Sequence, residues 1–256
     1  MNKSINKLIA IWCCFSLLQC TGQVKHKMQY FTIEKYKDWE IDTDWISSED
    51  DKSLKKDRER VRISSDNRDI QVERTSIINP YKRIYVYDKK TRILRVFVME
   101  CYQFSIGIQK KYDEKGILLY EIDNDKPYKF SLQQLIEKVK KEYDIDLEDR
   151  RQNAVVDRWL EGDAQKPYYE VYMQSKKNPN YETDCIVIDG TTGETLFKTI
   201  LSRYDEHSLP PFDQYLKVLK NKVTEDNSYY KSYKGKDYTK KEWKAFEEEW
   251  YKNTDD

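Results

Sequence analysis

Apolar residues recur along the chain with two different periods, and the switch between them divides it. From Arg83 to Asp123 the runs RIYVYD, ILRVFVMECYQF, SIGIQKKYD and ILLYEID are β-branched or aromatic and are punctuated by turn residues. This pattern predicts a meander of antiparallel strands. Two of the turns share a form: Tyr87-Asp88-Lys89-Lys90-Thr91 precedes Ile93-Leu94, and Tyr112-Asp113-Glu114-Lys115-Gly116 precedes Ile117-Leu118. In each the aspartate is expected to accept backbone N–H groups, while Gly116 can adopt a positive φ. Upstream, Val61 to Ile78 alternates weakly and ends at the Asn79-Pro80 turn. The segment YFTIEKYKDWEI shows neither period and reads as irregular chain with room for an edge strand. Ser47 to Arg60, SSEDDKSLKKDRER, is too densely charged to bury much and predicts a solvated loop or short exposed helix.

At Ser131 the period lengthens to that of a helix. Ser131 with Gln134 has the spacing of a capping box and Phe130 with Leu135 that of a hydrophobic staple. Leu132, Leu135, Ile136, Val139 and Tyr143 then share one face, which needs a sheet to cover. Tyr168–Met173 and Cys185–Ile188 are the strands available for it. Asp189-Gly190-Thr191-Thr192-Gly193 turns the second strand into Glu194 to Ile200. Beyond Arg203 the helical period returns. Pro210 and Pro211 favour a helix start, and Phe212, Tyr215, Leu216, Leu219 and Val223 form its apolar face. A tyrosine-rich loop, NSYYKSYKGKDY, leads to a second capping box, Thr239 with Glu242, and to the stripe Trp243, Phe246 and Trp250. At this spacing the stripe reads as core, and Tyr229, Tyr230 and Tyr233 are the candidate partner surface.

The expected fold is therefore α+β: an antiparallel β meander over 30–126, a helix-strand-strand unit over 127–202 and a helical C-terminal segment over 203–256. With 256 residues and 38% apolar content, the chain can close a sizeable core. Its 46 basic and 46 acidic residues cancel, which leaves no field to draw it to nucleic acid. The 21 tyrosines and 6 tryptophans against 7 glycines favour half-buried sheet faces.

Candidate chemistry is sparse. His26 and His207 are the only histidines, too few for a multi-histidine zinc site and a poor basis for a triad. HExxH, GxSxG and a phosphate-binding glycine loop are all missing from the sequence. Asp123-Asn124-Asp125 and Asp144-Ile145-Asp146-Leu147-Glu148 cluster carboxylates as calcium loops do. They carry Tyr128 and Asp149 where the loop glycine belongs, and Gln134 and Val155 where its closing glutamate belongs. No catalytic, cofactor or metal site is expected. A glycan hydrolase working through paired carboxylates stays open as the enzymatic alternative, with no pair singled out.

Residues 1–19 have a short positive start and the apolar run LIAIWCCFSLL, the form of a secretory signal rather than a bilayer span. Leu17-Leu18-Gln19-Cys20 resembles a bacterial lipobox, with Gln19 in place of the usual small residue. The resemblance implies lipid attachment at Cys20, with 20–29 as a tether; the alternative is ordinary cleavage after Gly22. Thr21, not aspartate, follows the cysteine, which within this resemblance implies the outer membrane. Cys101 and Cys185 then remain, and in an oxidising compartment they either pair as a disulfide or stay as buried thiols.

Two further resemblances concern the folded part. Phe104-Ser105-Ile106-Gly107-Ile108 followed by Tyr112 to Leu118 is similar to the MORN-like strand repeat of bacterial secreted and antitoxin-like proteins, over about 84–123. Gln109 stands where that repeat carries tryptophan. The helix and strands ending in IDGTTGETL resemble the PepSY domain over about 128–200, on Tyr169, Val171, Ile188, Asp189, Thr192, Gly193 and Leu196. The first implies a solvent-facing hairpin array, the second modulation of a partner protein. Together they point to a non-catalytic envelope lipoprotein with a protein partner, of the immunity or inhibitor kind, or to a structural or accessory lipoprotein.

Overall fold

A computed structural model describes residues 29–205 and 207–254. The expected signal segment, residues 1–19, and Cys20 lie outside them. Among the described residues, fourteen strands and three α-helices form two main sheets and a small C-terminal unit.

The first sheet has eight strands in sequence order, each antiparallel to the next. They are β1 (Glu40–Ile41), β2 (Asp51–Lys56), β3 (Glu59–Ser65), β4 (Asp69–Ser76), β5 (Tyr81–Asp88), β6 (Leu94–Cys101), β7 (Phe104–Tyr112) and β8 (Leu118–Asp123). Side chains alternate across the pleat, so Val61, Ile63, Ile70 and Val72 fall on one face, and they are buried with Tyr87, Leu94 and Tyr112. Phe31, Tyr36 and Trp39, around the 3-10 turn Ile33–Tyr36, fold back over this face. The turn chemistry is as the sequence implies. Asp88 Oδ1 accepts the Lys90 and Thr91 amides at 3.1 and 2.7 Å, and Asp113 Oδ1 accepts those of Lys115 and Ile117, both at 2.8 Å. Gly116 has φ +74°.

The charged run at 47–60 is not a loop or a helix: most of it builds the β2–β3 hairpin. Its charges are satisfied sideways instead of being buried. Arg62 meets Asp51 at 2.5 Å on the neighbouring strand, and Arg60 Nε lies 2.8 Å from Asp42, while the alternating position Ser53 turns inward. Opposite charges on neighbouring strands thus replace the hydrophobic alternation by which strands are usually recognised.

The second sheet has the order β12-β11-β10-β9, again antiparallel: β9 (Ala154–Glu161), β10 (Lys166–Gln174), β11 (Glu182–Asp189) and β12 (Thr195–Ser202). Helix α1 (Leu132–Tyr143) precedes it with both bonds of the capping box in place. The Gln134 amide donates to Ser131 Oγ at 3.2 Å and the Ser131 amide to Gln134 Oε1 at 2.8 Å. Leu135, Ile136 and Val139 pack on Tyr169, Val171, Ile186 and Ile188, the largest core of the molecule. Asp189 Oδ1 accepts the Thr191 and Thr192 amides, and Gly193 at φ +77° lies under the Phe130 ring. A Cβ there would come within 2.5 Å of that ring. Strand β9 was not apparent in the sequence because AVVDRWLE places Arg158 at an inward position.

That arginine joins the two sheets. Its side chain is 3% exposed and lies between the rings of Phe104 and Tyr128, at 4.8 and 4.3 Å. Nη2 donates to the carbonyls of Ser105 and Asn124 and meets Asp125 at 2.8 Å. Asp125 also accepts the Gly107 amide, so the carboxylates once compared with a calcium loop serve the junction. Tyr102 and Arg150 add bonds to the Leu147 and Asn79 carbonyls.

The C-terminal segment is not wholly helical. Helix α2 (Pro211–Asp226) is followed by the hairpin β13 (Tyr229–Tyr233) and β14 (Lys236–Thr239), then by helix α3 (Lys240–Thr254). The tyrosine-rich stretch expected as a loop is that hairpin, with Gly235 at φ +78° in its turn. Only the start of α2, Phe212 to Tyr215, packs on the second sheet. Phe212 is buried, whereas Leu216, Leu219 and Val223 on the predicted apolar face are exposed. Among the described residues no helix is long and apolar enough to cross a membrane.

Candidate partner-binding surface

Hairpin β13–β14 and helix α3 enclose a core made almost entirely of rings. The second capping box fixes the start of α3: the Thr239 amide donates to Glu242 Oε2 at 2.9 Å and the Glu242 amide to Thr239 Oγ1 at 3.2 Å. From there the helical period brings Trp243, Phe246 and Trp250 onto the face that meets the hairpin. Tyr233 lies 6.1, 5.5 and 6.2 Å from those three rings, and Tyr238 lies 5.4 Å from both Trp243 and Phe246. The rings are tilted or edge-on, the geometry aromatic quadrupoles prefer. Tyr233 is therefore a core residue of this unit. Tyr229 and Tyr230 are 68% and 53% exposed and remain at its surface.

Beside these rings runs a groove of about 320 Å³, lined by Lys231, Tyr233, Trp243, Phe246, Glu247, Trp250 and Tyr251. Lys231 Nζ lies 4.2 Å from the Trp243 ring centre, and the Trp243 indole donates to Glu247 Oε1 at 2.6 Å. Neither Lys231 nor Glu247 is apparent as a site residue from sequence. The signal was the carboxylate inside the aromatic stripe, since Glu247 follows Phe246 and falls within one turn of both Trp243 and Trp250.

The outer face of the second sheet carries the other concentration of ionisable groups. Glu170 and Asp157 are directly paired across β10 and β9. Glu170 is buried, and both its oxygens are used: Oε1 accepts the Phe212 amide at the start of α2 at 2.8 Å, and Oε2 accepts the Tyr172 hydroxyl at 2.7 Å. Burial raises the Glu170 and Asp157 pKa values, and for Glu170 this outweighs the two donors. Phe212 seals the place, with its ring 4.8 Å from both Trp159 and Tyr168. Glu170 thus has the role of a docking latch for α2.

Cys101 and Cys185 are free and buried, one in β6 and the other in β11, so the disulfide weighed from the sequence is not formed. Burial pushes both thiols up to about 12, which keeps them protonated and unreactive at neutral pH. Among the described residues no three His, Cys, Asp or Glu side chains are grouped to share a metal ion. Comparison of the chain with protein-family models, curated proteins and solved structures found no match.

Proposed function

We propose that this chain is a non-catalytic binding protein of the cell envelope, and that its C-terminal β13–β14–α3 unit is the part that holds a protein partner. The observation that carries this reading is the open aromatic groove, flanked by exposed Tyr229 and Tyr230, on a unit that has its own core. Exposed tyrosine and tryptophan beside a concave apolar surface are the residues from which binding hot spots are built. Two local features are compatible with the family resemblances. A meander with repeated Asp-led turns suits the MORN-like resemblance, and a capped helix over strands ending in the Asp189 turn suits the PepSY-like one. Lipid attachment at Cys20 would tether the protein to the outer membrane and leave the C-terminal unit free to meet an envelope partner, as an immunity or inhibitor protein does. The hydrolase alternative is disfavoured at Glu170, whose two oxygens are taken by the Phe212 amide of α2 and the Tyr172 hydroxyl.

The test is site-specific photo-crosslinking in intact cells of the source. A crosslinker at Tyr230 is expected to give one discrete protein adduct that the Trp250→Ala change removes, whereas one at the exposed Thr91 turn gives none. Equal adducts at both positions, or none at either, would sink the proposal. Replacing Cys20 by Ser is expected to release the protein from membranes; unchanged membrane association would reject the anchor.

A further inference from the structure

The C-terminal groove has a chemistry more specific than apolarity. Its wall is the π-face of Trp243, backed by Phe246 at 5.2 Å, and Trp250 continues the wall at 5.7 Å from Phe246. The negative quadrupole of such faces attracts cations, and tryptophan does so most strongly. This chain already demonstrates the preference. Lys231 Nζ sits over Trp243 at 4.2 Å, Lys236 Nζ over Tyr238 at 4.7 Å and Lys234 Nζ over Tyr233 at 5.4 Å, three ammonium groups on one small hairpin. Of these, Lys231 alone lines the groove, and among the described residues no carboxylate lies within ion-pair distance of it.

The second component is charge. Glu247 projects into the groove, turned towards Trp243 by the indole N–H that donates to its Oε1. It is the carboxylate that lines the groove. A ring face with a carboxylate at its edge suits a guanidinium, which can stack its plane on the indole while its N–H fork reaches the carboxylate. About 320 Å³ accommodates one long side chain.

We infer that the groove binds an arginine side chain presented by the protein partner, and that Lys231 is an internal stand-in which the incoming guanidinium displaces from Trp243. The inference rests on the partner-binding reading and specifies what the partner must offer: a basic residue in an exposed segment. Displacement exchanges one cation on the Trp243 face for another, so the stacking given up by Lys231 is regained by the guanidinium. The incoming group gains both the ring and a charge-assisted bond to Glu247.

The test uses the full chain with two small probes, N-acetyl-arginine methylamide and its neutral counterpart N-acetyl-norleucine methylamide, followed by tryptophan fluorescence and by the indole N–H resonances of Trp243 and Trp250. The arginine probe is expected to give saturable shifts, and the norleucine probe to bind at least about tenfold more weakly. Lys231→Met should tighten arginine binding about threefold by removing the competitor. Glu247→Gln, which keeps an oxygen for the Trp243 indole, should weaken it about tenfold. A groove that is merely structural would show no gain in Lys231→Met. Norleucine binding as well as arginine, no saturable shift with arginine, or a Lys231→Met chain that binds arginine no better would each overturn the inference. The two readings fail separately: an adduct at Tyr230 with no arginine response leaves partner binding standing and removes the guanidinium, whereas an arginine response with no adduct does the reverse.

Discussion

The two main sheets solve the same problem in different ways. In the four-stranded sheet, α1 covers one face and the start of α2 part of the other. Thirteen buried residues form one continuous core there, among them Leu135, Val139, Val156, Tyr169 and Ile188. The eight-stranded sheet has twice the strands, but only seven buried residues make up its core, and no α-helix takes part in it. Its outer face is held by pairs between strands: Lys82 meets Glu100, directly opposite in register, at 2.7 Å, and Glu73 on the other neighbouring strand at 3.9 Å. A covered sheet can rest on apolar burial, whereas a sheet wet on one face depends on its narrower core and on many small lateral contacts. The same contrast separates the functional candidates. The covered sheet holds its ionisable groups for structure, while the C-terminal unit buries Trp243 and leaves Tyr229, Tyr230, Trp250 and Tyr251 exposed.

The sharpest way to test this contrast is to cut into each part. Leu135→Ala empties a fully buried site between α1 and the second sheet and should cost about 2–5 kcal/mol in denaturant unfolding. A loss below about 1 kcal/mol would mean that this core is looser than its packing implies. Arg158→Met comes next. It removes the bonds to Ser105, Asn124 and Asp125 while keeping bulk between Phe104 and Tyr128, and should cost about 2 kcal/mol. More tellingly, it should split a single unfolding transition into two, one for each sheet, as read by calorimetry; a single transition would show that the sheets are coupled by other contacts. Smallest is the outer ladder. A double-mutant cycle on Lys82 and Glu100 should give a coupling of about 0.5 kcal/mol that fades in salt, and a coupling above about 2 kcal/mol would refute the lateral-pair account.

Glu170 adds a dependence on pH. Burial raises its folded pKa above the unfolded value of 4.5, so the native state binds the proton more tightly. Stability should therefore rise as pH falls from neutral through the folded pKa, with the gain complete below 4.5. Glu170→Gln should flatten this contribution. It should also loosen α2, because the Phe212 amide then donates to a neutral amide oxygen in place of a carboxylate oxygen, and limited proteolysis between 203 and 210 would report it. A variant with the same pH slope and the same resistance to cleavage would show that Glu170 is not the latch.

Local chemistry settled a definite share of this protein. The capping boxes at Ser131 and Thr239, the Asp88, Asp113 and Asp189 turns and the helix faces they set up depend on residues within a few positions of one another, so the order of the amino acids determines them. Strands whose charges are matched only across the sheet were another matter. The β2–β3 hairpin looked like a solvated run because Asp51 and Arg62 become partners only once paired, and β9 was obscured by an arginine whose three acceptors come from other parts of the chain. Tertiary structure alone decided that Cys101 and Cys185 fall in separate sheets, that Glu170 faces the start of α2, and that Lys231 lies on Trp243. Each of those facts is a distance between residues far apart in sequence, and periodicity carries no information about such distances.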